Sequence, residues 1–267
     1  AAMTQMPLQA LIFDVDGTLA DTERTHLAAF NHAFGEEGLE WHWDEALYTE
    51  LLQISGGKER ILHYWRSTMT GVLDVTGTGV RETVQRLHDI KTAAYEAMVN
   101  AGAVELRPGV LHLIEQAQRR GLALAIATTT SPVNIAALLR RAIGADWRLY
   151  FSVVADASTA PVKKPDPQVY LQVLREMKLP ASACLAFEDS GNGLRAASAA
   201  GIATVVTPTA FTQAHEFTGA VRILRDLTHV RVAQLRDWHA AATAGTAHLR
   251  EQAAAVLESR TILEQAP

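Results

Sequence analysis

The chain's chemistry begins where an apolar run carries two carboxylates, with one residue between them, into a glycine turn: Leu11-Ile12-Phe13-Asp14-Val15-Asp16-Gly17-Thr18-Leu19. A strand sends successive side chains to opposite faces, so Asp14 and Asp16 serve one centre only if the chain curls after Val15, and Gly17 and Thr18 permit that curl. Two carboxylates buried at a strand end do not both stay ionised without a cation between them, which makes a hard divalent ion such as Mg²⁺ the natural partner. The plainer alternative is a hydrophobic strand followed by an acidic surface turn, since Asp and Gly are common turn formers. Three further polar sets follow in order: Thr128-Thr129-Thr130-Ser131, Lys163-Lys164-Pro165 and Glu188-Asp189-Ser190. Alone, each has an ordinary explanation: a helix N-cap, a solvated loop lysine, a polar strand end. Their order and spacing are the stronger signal.

Short apolar strands alternate with helical patterns, with one long interruption. Leu8 to Val15 reads as the first strand. Leu27, Phe30 and Phe34 then recur at helical spacing, and helical patterns continue through Leu51-Leu52, Ile61-Leu62-Trp65 and Val80 to Val99, with Gly71 to Gly79 as a loop among them. After Arg107-Pro108-Gly109 the alternation returns: a helix from Val110 to Arg119, a strand from Leu122 to Ala127, and strands near Ser152-Val153-Val154, Cys184 to Phe187 and Ala203 to Val206. Such alternation predicts a parallel sheet covered by helices on both faces, with right-handed crossovers. The expected organisation is an α/β core from residues 1–21 and 105–228, a helical insert over 22–104, and an extension over 229–267 that is Ala-rich and helix-prone apart from the glycine at Gly245. In such a sheet, ligands bind beyond the carboxyl ends of the strands, at the switch in strand order. The polar sets stand at those ends. They supply carboxylates for a metal, hydroxyls and a helix N-terminus for an anion, and a lysine to neutralise charge, an inventory suited to phosphoryl transfer.

Composition sets outer bounds. With 48% hydrophobic and 20% charged residues among 267, the chain has the make-up of a globular protein large enough for one big core or two smaller ones. A net charge of -5 offers no attraction to nucleic acid, and no basic run suggests a membrane surface. No apolar stretch reaches the roughly 20 residues needed to span a bilayer. The single cysteine, Cys184, sits inside an apolar run, which fits a buried, reduced thiol and a cytoplasmic location. A monomer is expected.

The segments Asp14-Val15-Asp16-Gly17-Thr18, Thr128, Lys164-Pro165 and Glu188-Asp189 resemble the four ordered motifs of the haloacid dehalogenase superfamily, over essentially residues 8 to 228. Within it, the chain resembles the CbbY group of sugar-phosphate phosphatases, through Asp21-Thr22-Glu23, His26, Gly56-Gly57-Lys58-Glu59-Arg60, Ala127-Thr128-Thr129-Thr130-Ser131 and the run from Glu188 to Ala197. The resemblance implies a parallel Rossmann-like core with an inserted α-helical cap, and Mg²⁺-dependent hydrolysis of xylulose-1,5-bisphosphate to xylulose 5-phosphate. It makes Asp14 the nucleophile that forms an aspartyl-phosphate, and Asp16 the acid in the first step and the base in the second. Mg²⁺ would be held by the Asp14 carboxylate, the Asp16 backbone carbonyl, Asp189 and Glu188, while Thr128, the amides after it and Lys164 cradle the phosphoryl oxygens.

A bisphosphate needs a second anion site. Gly56-Gly57 allows close backbone approach, and Lys58 and Arg60 stand ready as cations, with Glu59 between them; the alternative is a helix-start turn with solvated charges. Glu23 and His26 lie one helical turn apart and could contact sugar hydroxyls or position Asp16, and Glu23 and Asn134 are candidates for reading the sugar's stereocentre. Two other enzymes compete. Gly191-Asn192-Gly193-Leu194-Arg195-Ala196 fits the dinucleotide fingerprint, but Glu188 and Asp189 stand where a pyrophosphate would approach and no acidic residue ends the next strand. A β-phosphoglucomutase-like phosphomutase shares the aspartates, the cap and the histidine position, and the motifs do not separate it from a phosphatase.

Overall fold

The computed structural model describes residues 5–68 and 77–264. Most of the loop expected from Gly71 to Gly79 lies outside the described residues. At its centre is a six-stranded, all-parallel sheet in the order β3-β2-β1-β4-β5-β6, built from β1 (Ala10–Phe13), β2 (Ala123–Ala127), β3 (Val153–Ala155), β4 (Cys184–Glu188), β5 (Ala203–Val206) and β6 (Arg222–Ile223). The order reverses between β1 and β4, which pair with Phe13 opposite Phe187, so the residues that follow these two strands open into one crevice.

Both faces of the sheet are covered, which explains why its strands read as unbroken apolar runs. Leu11, Phe13, Leu124, Ile126, Leu185 and Phe187 form one core with α5 (Val110–Arg119) and α6 (Pro132–Ala142). Ala10, Ile12, Ala125, Ala127 and Ala186 pack on the other face against α7 (Gln168–Met177) and α8 (Gly191–Ala199). Burying each large apolar side chain contributes about 1.5–3 kcal/mol.

Between β1 and α5 the described residues of the insert supply four helices: α1 (Glu23–Glu36), α2 (Glu45–Leu51), α3 (Gly57–Thr68) and α4 (Thr78–Asn100). They enclose an aromatic core of their own. Trp43 lies with ring centroids 4.7 Å from Phe34 and 4.9 Å from Phe30, and Tyr48, Ile61 and Leu87 complete it. α4 belongs to both halves: Val80, Val84 and Leu87 join the insert's core, whereas Tyr95 and Val99 join the sheet's.

One expectation needs correction. The first strand is four residues long, not eight, because the backbone leaves the ladder after the Asp14 N–H meets the Phe187 carbonyl at 3.1 Å, and Val15 then accepts from the turn at Thr18 and Leu19. The helix-prone extension forms α9 (Val232–Glu264), which runs through Gly245. Its first turns are anchored, Val232 and Leu235 in the core and His239 through Nε2 to the Ser182 carbonyl at 2.8 Å, while Leu249 further along is 66% exposed. Cys184 is buried as expected, and burial pushes its thiol up to about 12. Among the described residues no helix is long and apolar enough to cross a membrane.

Candidate active site

Asp14 ends β1 with its carboxylate buried and doubly held: Oδ1 accepts from Lys164 Nζ at 2.9 Å and Oδ2 from the Thr18 hydroxyl at 3.1 Å. Lys164 uses all three of its donors, the other two going to Glu188 Oε1 at 2.6 Å and the Ala127 carbonyl at 2.9 Å. Glu188 Oε1 also accepts from the Tyr170 hydroxyl, whereas Glu188 Oε2 is buried with no partner among the described residues. Carboxylate oxygens of Asp14, Glu188 and Asp189 lie within 4.8 Å of one another.

Three buried carboxylates thus face one ammonium. Burial and the neighbouring Asp14 charge push Glu188 up to about 7, burial with Asp14 and Glu188 raises Asp189 well above the usual carboxylate range, and burial raises Asp14 despite Lys164. Burial opposes the charge on Lys164, but Asp14 and Glu188 overcome it and raise its pKa. Two uncompensated charges and an orphaned oxygen are what a hard divalent cation with oxygen ligands satisfies. The residues fit such an ion.

Two glycines make room for the cluster. Gly17 sits at φ +82°, where a Cβ would fall 2.1 Å from Asp189 Oδ2, so it provides both the curl after Val15 and the space for the metal-side carboxylate. Gly193, in the first turn of α8, faces Glu188 so closely that a Cβ would lie 1.8 Å from Oε2. The second glycine of the apparent dinucleotide fingerprint therefore seats a carboxylate, whereas Gly191 faces the Glu216 carbonyl. Between Gly191 and Gly193, Asn192 donates through Nδ2 to the Gln53 carbonyl at 2.8 Å and to Ser55 Oγ at 3.0 Å, tying the sheet to the insert.

The Asp16 carboxylate lies outside this triad and faces the insert. Its Oδ1 accepts from the Thr22 hydroxyl and from His26 Nε2, both at 2.7 Å. Lys91 Nζ donates to His26 Nδ1 at 2.8 Å, which leaves Nε2–H as the donor to Asp16. The Tyr95 ring stacks on the imidazole at 4.1 Å, holding its plane. Burial would raise the Asp16 pKa, but His26, the Thr22 hydroxyl and Lys91 prevail and hold it at about 2. Burial lowers Lys91 to about 8.

The candidate catalytic, metal-binding and substrate-binding residues read from the sequence all line one cavity of about 460 Å³ between the sheet and the insert, within the range of small-molecule sites. They include Thr128, Thr129, Thr130, Ser131 and Asn134 at the start of α6, where Thr128 Oγ1 accepts the Thr130 N–H at 3.2 Å and Asn134 Oδ1 is buried without a partner among the described residues. Glu23 is buried in the wall, accepting from the Tyr48 hydroxyl at 2.8 Å. The two cap cations are already engaged. Arg60 donates to the Leu51 and Ile54 carbonyls at 3.1 and 2.8 Å and lies over the Phe30 and Tyr48 rings, while Lys58 donates to Gln85 Oε1 at 2.6 Å. Sequence reasoning missed Lys91, Tyr95, Tyr170, His88 and the distinct position of Lys163. One signal was available for Lys91: it falls on the buried face of α4 between Leu87 and Tyr95, where a lysine needs a partner.

Comparison with known proteins agrees with this geometry. A family model described as haloacid dehalogenase-like hydrolase matches residues 8–201. The plasmid protein CbbY of Cupriavidus necator is 54% identical over 248 residues, covering 87% of this chain and 97% of the relative. Crystal structures of CbbY from Rhodobacter sphaeroides superpose with TM-scores of 0.78 for a complex with phosphate and 0.79 for a variant in complex with xylulose-1,5-bisphosphate. Their identities are 41% and 40%, and each covers 85% of this chain and 99% of the other. The chain belongs to the haloacid dehalogenase-like hydrolases and, within them, to the CbbY family that its ordered motifs resembled.

Proposed function

We propose that this enzyme is a Mg²⁺-dependent phosphatase that converts xylulose-1,5-bisphosphate to xylulose 5-phosphate and inorganic phosphate through an aspartyl-phosphate on Asp14. The observation that carries the chemistry is the arrangement around Asp14: a buried carboxylate beside Glu188, Asp189 and Lys164, opening into the cavity it shares with Asp16. The substrate is inferred from the related CbbY crystallised with that bisphosphate.

Asp14, Glu188 and Asp189 would hold the metal with carboxylate oxygens, together with the Asp16 backbone carbonyl. Mg²⁺ bound there cancels phosphate charge so that an anionic nucleophile can approach. Lys164 steadies the Asp14 carboxylate and neutralises a phosphoryl oxygen, and the Thr128 hydroxyl with the amides at the start of α6 binds the others. Asp14 attacks phosphorus, the bond to the sugar oxygen breaks, and that oxygen takes a proton from Asp16. Water then attacks phosphorus, Asp16 takes its proton, and the bond to Asp14 breaks. The His26–Lys91 chain keeps Asp16 ionised in the free enzyme, ready for the second step. An entering phosphate dianion pushes the Asp16 pKa the other way, loading the proton that the first step needs. Residues 22–104 act as a cap whose closure over 1–21 and 105–228 brings Lys58 toward the distal phosphate and excludes water until Asp16 is placed.

The test is phosphate release with Mg²⁺ from xylulose-1,5-bisphosphate and ribulose-1,5-bisphosphate in parallel. Strong preference for the xylulose compound, lost by at least about 1,000-fold in Asp14→Asn, is expected. A substantial residual rate in that variant refutes the nucleophile. Isomerised hexose phosphates without net phosphate release would identify a phosphomutase instead.

A further inference from the structure

The cations lining the cavity are committed, with one exception. Lys164 is spent on Asp14 and Glu188, Lys91 on His26, Arg60 on two backbone carbonyls, and Lys58 on Gln85. Burial first, with nearby lysines, pushes His88 down to about 4, so it contributes no charge at neutral pH. Lys163 remains, half-buried on the cavity wall, with a side chain that makes no hydrogen bond or ion pair among the described residues. Two consecutive lysines diverge here. Lys164 turns down to the reacting carboxylate, while Lys163 crosses the insert's turn, its Cε 3.1 Å from where a Cβ on Gly56 would stand. Gly56 has φ +92°, and the Glu59 carboxylate occupies the same space, 2.1 Å from that Cβ position. Core and insert therefore meet at Gly56 with an acid and an unpaired base side by side.

We propose that Lys163 is a specificity-determining residue that receives the non-reacting phosphate of a bisphosphate, an assignment that rests on the phosphatase reading above. Burial and the adjacent Lys58 make an unpaired ammonium at this position unfavourable, and Glu59 and Asp156 offset that in part without contacting it. A phosphate supplies the missing acceptors and draws Lys163 and Lys58 together across the junction, so the second phosphate itself favours the closed arrangement. Glu59, already beside Gly56, repels an anion that fails to reach both lysines. The adjacency of the two lysines links the sites: Lys164 marks the reacting end and Lys163 the far end.

The experiment compares kcat/KM for xylulose-1,5-bisphosphate with that for xylulose 1-phosphate in wild type, Lys163→Met, Lys163→Gln and Lys163→Arg, each checked by circular dichroism and thermal melting. In Lys163→Met and Lys163→Gln the bisphosphate-to-monophosphate ratio is expected to fall about 10- to 100-fold, mainly through KM, as for a lost charge-assisted hydrogen bond, and Lys163→Arg should recover most of it. A ratio unchanged in the folded Met and Gln variants overturns the assignment and leaves the phosphatase reading intact. A wild type that releases no phosphate from the bisphosphate overturns both.

Discussion

Glu188→Gln tests the central electrostatic claim, that the carboxylate cluster is strained until a cation enters. Glu188 titrates at about 7 in the fold against an ordinary 4.5, so the folded state keeps a proton that the unfolded chain has already released. For an acid raised in this way, stability is lost as pH climbs from 4.5 through 7 and the cost is constant above. Linkage puts that cost at about 1 kcal/mol at pH 5 and about 3 kcal/mol at pH 8. Glutamine does not titrate. The variant's stability relative to wild type, measured by urea unfolding in chelator, should therefore rise by about 2 kcal/mol between pH 5 and 8. His88, pushed down to about 4, adds an opposite slope over roughly pH 4 to 6.5, but it is present in both proteins and cancels in the difference. Lys91, lowered to about 8, acts above this window. Saturating Mg²⁺ should recover the cost in wild type and abolish the pH-dependent gap. A gap that stays flat within about 0.5 kcal/mol from pH 5 to 8 would refute the reasoning, because Glu188 would then be adequately compensated without metal.

Two further outcomes follow from the same geometry. Gly193→Ala should improve helix propensity yet destabilise the protein by about 1–3 kcal/mol and weaken Mg²⁺ binding by about tenfold or more in calorimetry, because its Cβ would fall 1.8 Å from Glu188 Oε2; unchanged metal affinity would show that Glu188 is not a ligand. Wild-type kcat should decline above about pH 8 as Lys91 loses its proton, whereas Lys91→Met should start about tenfold lower and lack that limb; matching alkaline limbs in the two proteins would remove Lys91 from the control of Asp16.

Much of the molecule could be read from linear pattern, because the relevant forces act locally. Strands buried on both faces must be apolar throughout, so β2, β4 and β5 were legible to within a residue, and the 3.6-residue period marked α1, α4 and α5. β6 was not legible: it has two exposed residues and no periodicity. The Ala-rich end reads as a helix despite Gly245, and α9 runs through that residue because one glycine costs a helix only about 1 kcal/mol.

The sequence by itself determined which groups stand at the strand ends, because a carboxylate following an apolar run and a glycine turn is set by neighbours in the chain. Only the tertiary structure decided what each group does. Asp14 and Asp16, two residues apart, part company because the curl at Gly17 sends one toward Glu188 and Lys164 and the other toward Thr22 and His26. Lys91 reaches His26 across 65 positions, and among the described residues Lys163, rather than Lys58, is left without a partner because Gln85 happens to meet Lys58 across the insert. A buried or half-buried charge takes its pKa and its role from whatever surrounds it in three dimensions, and those surroundings come from distant segments that no local spacing encodes.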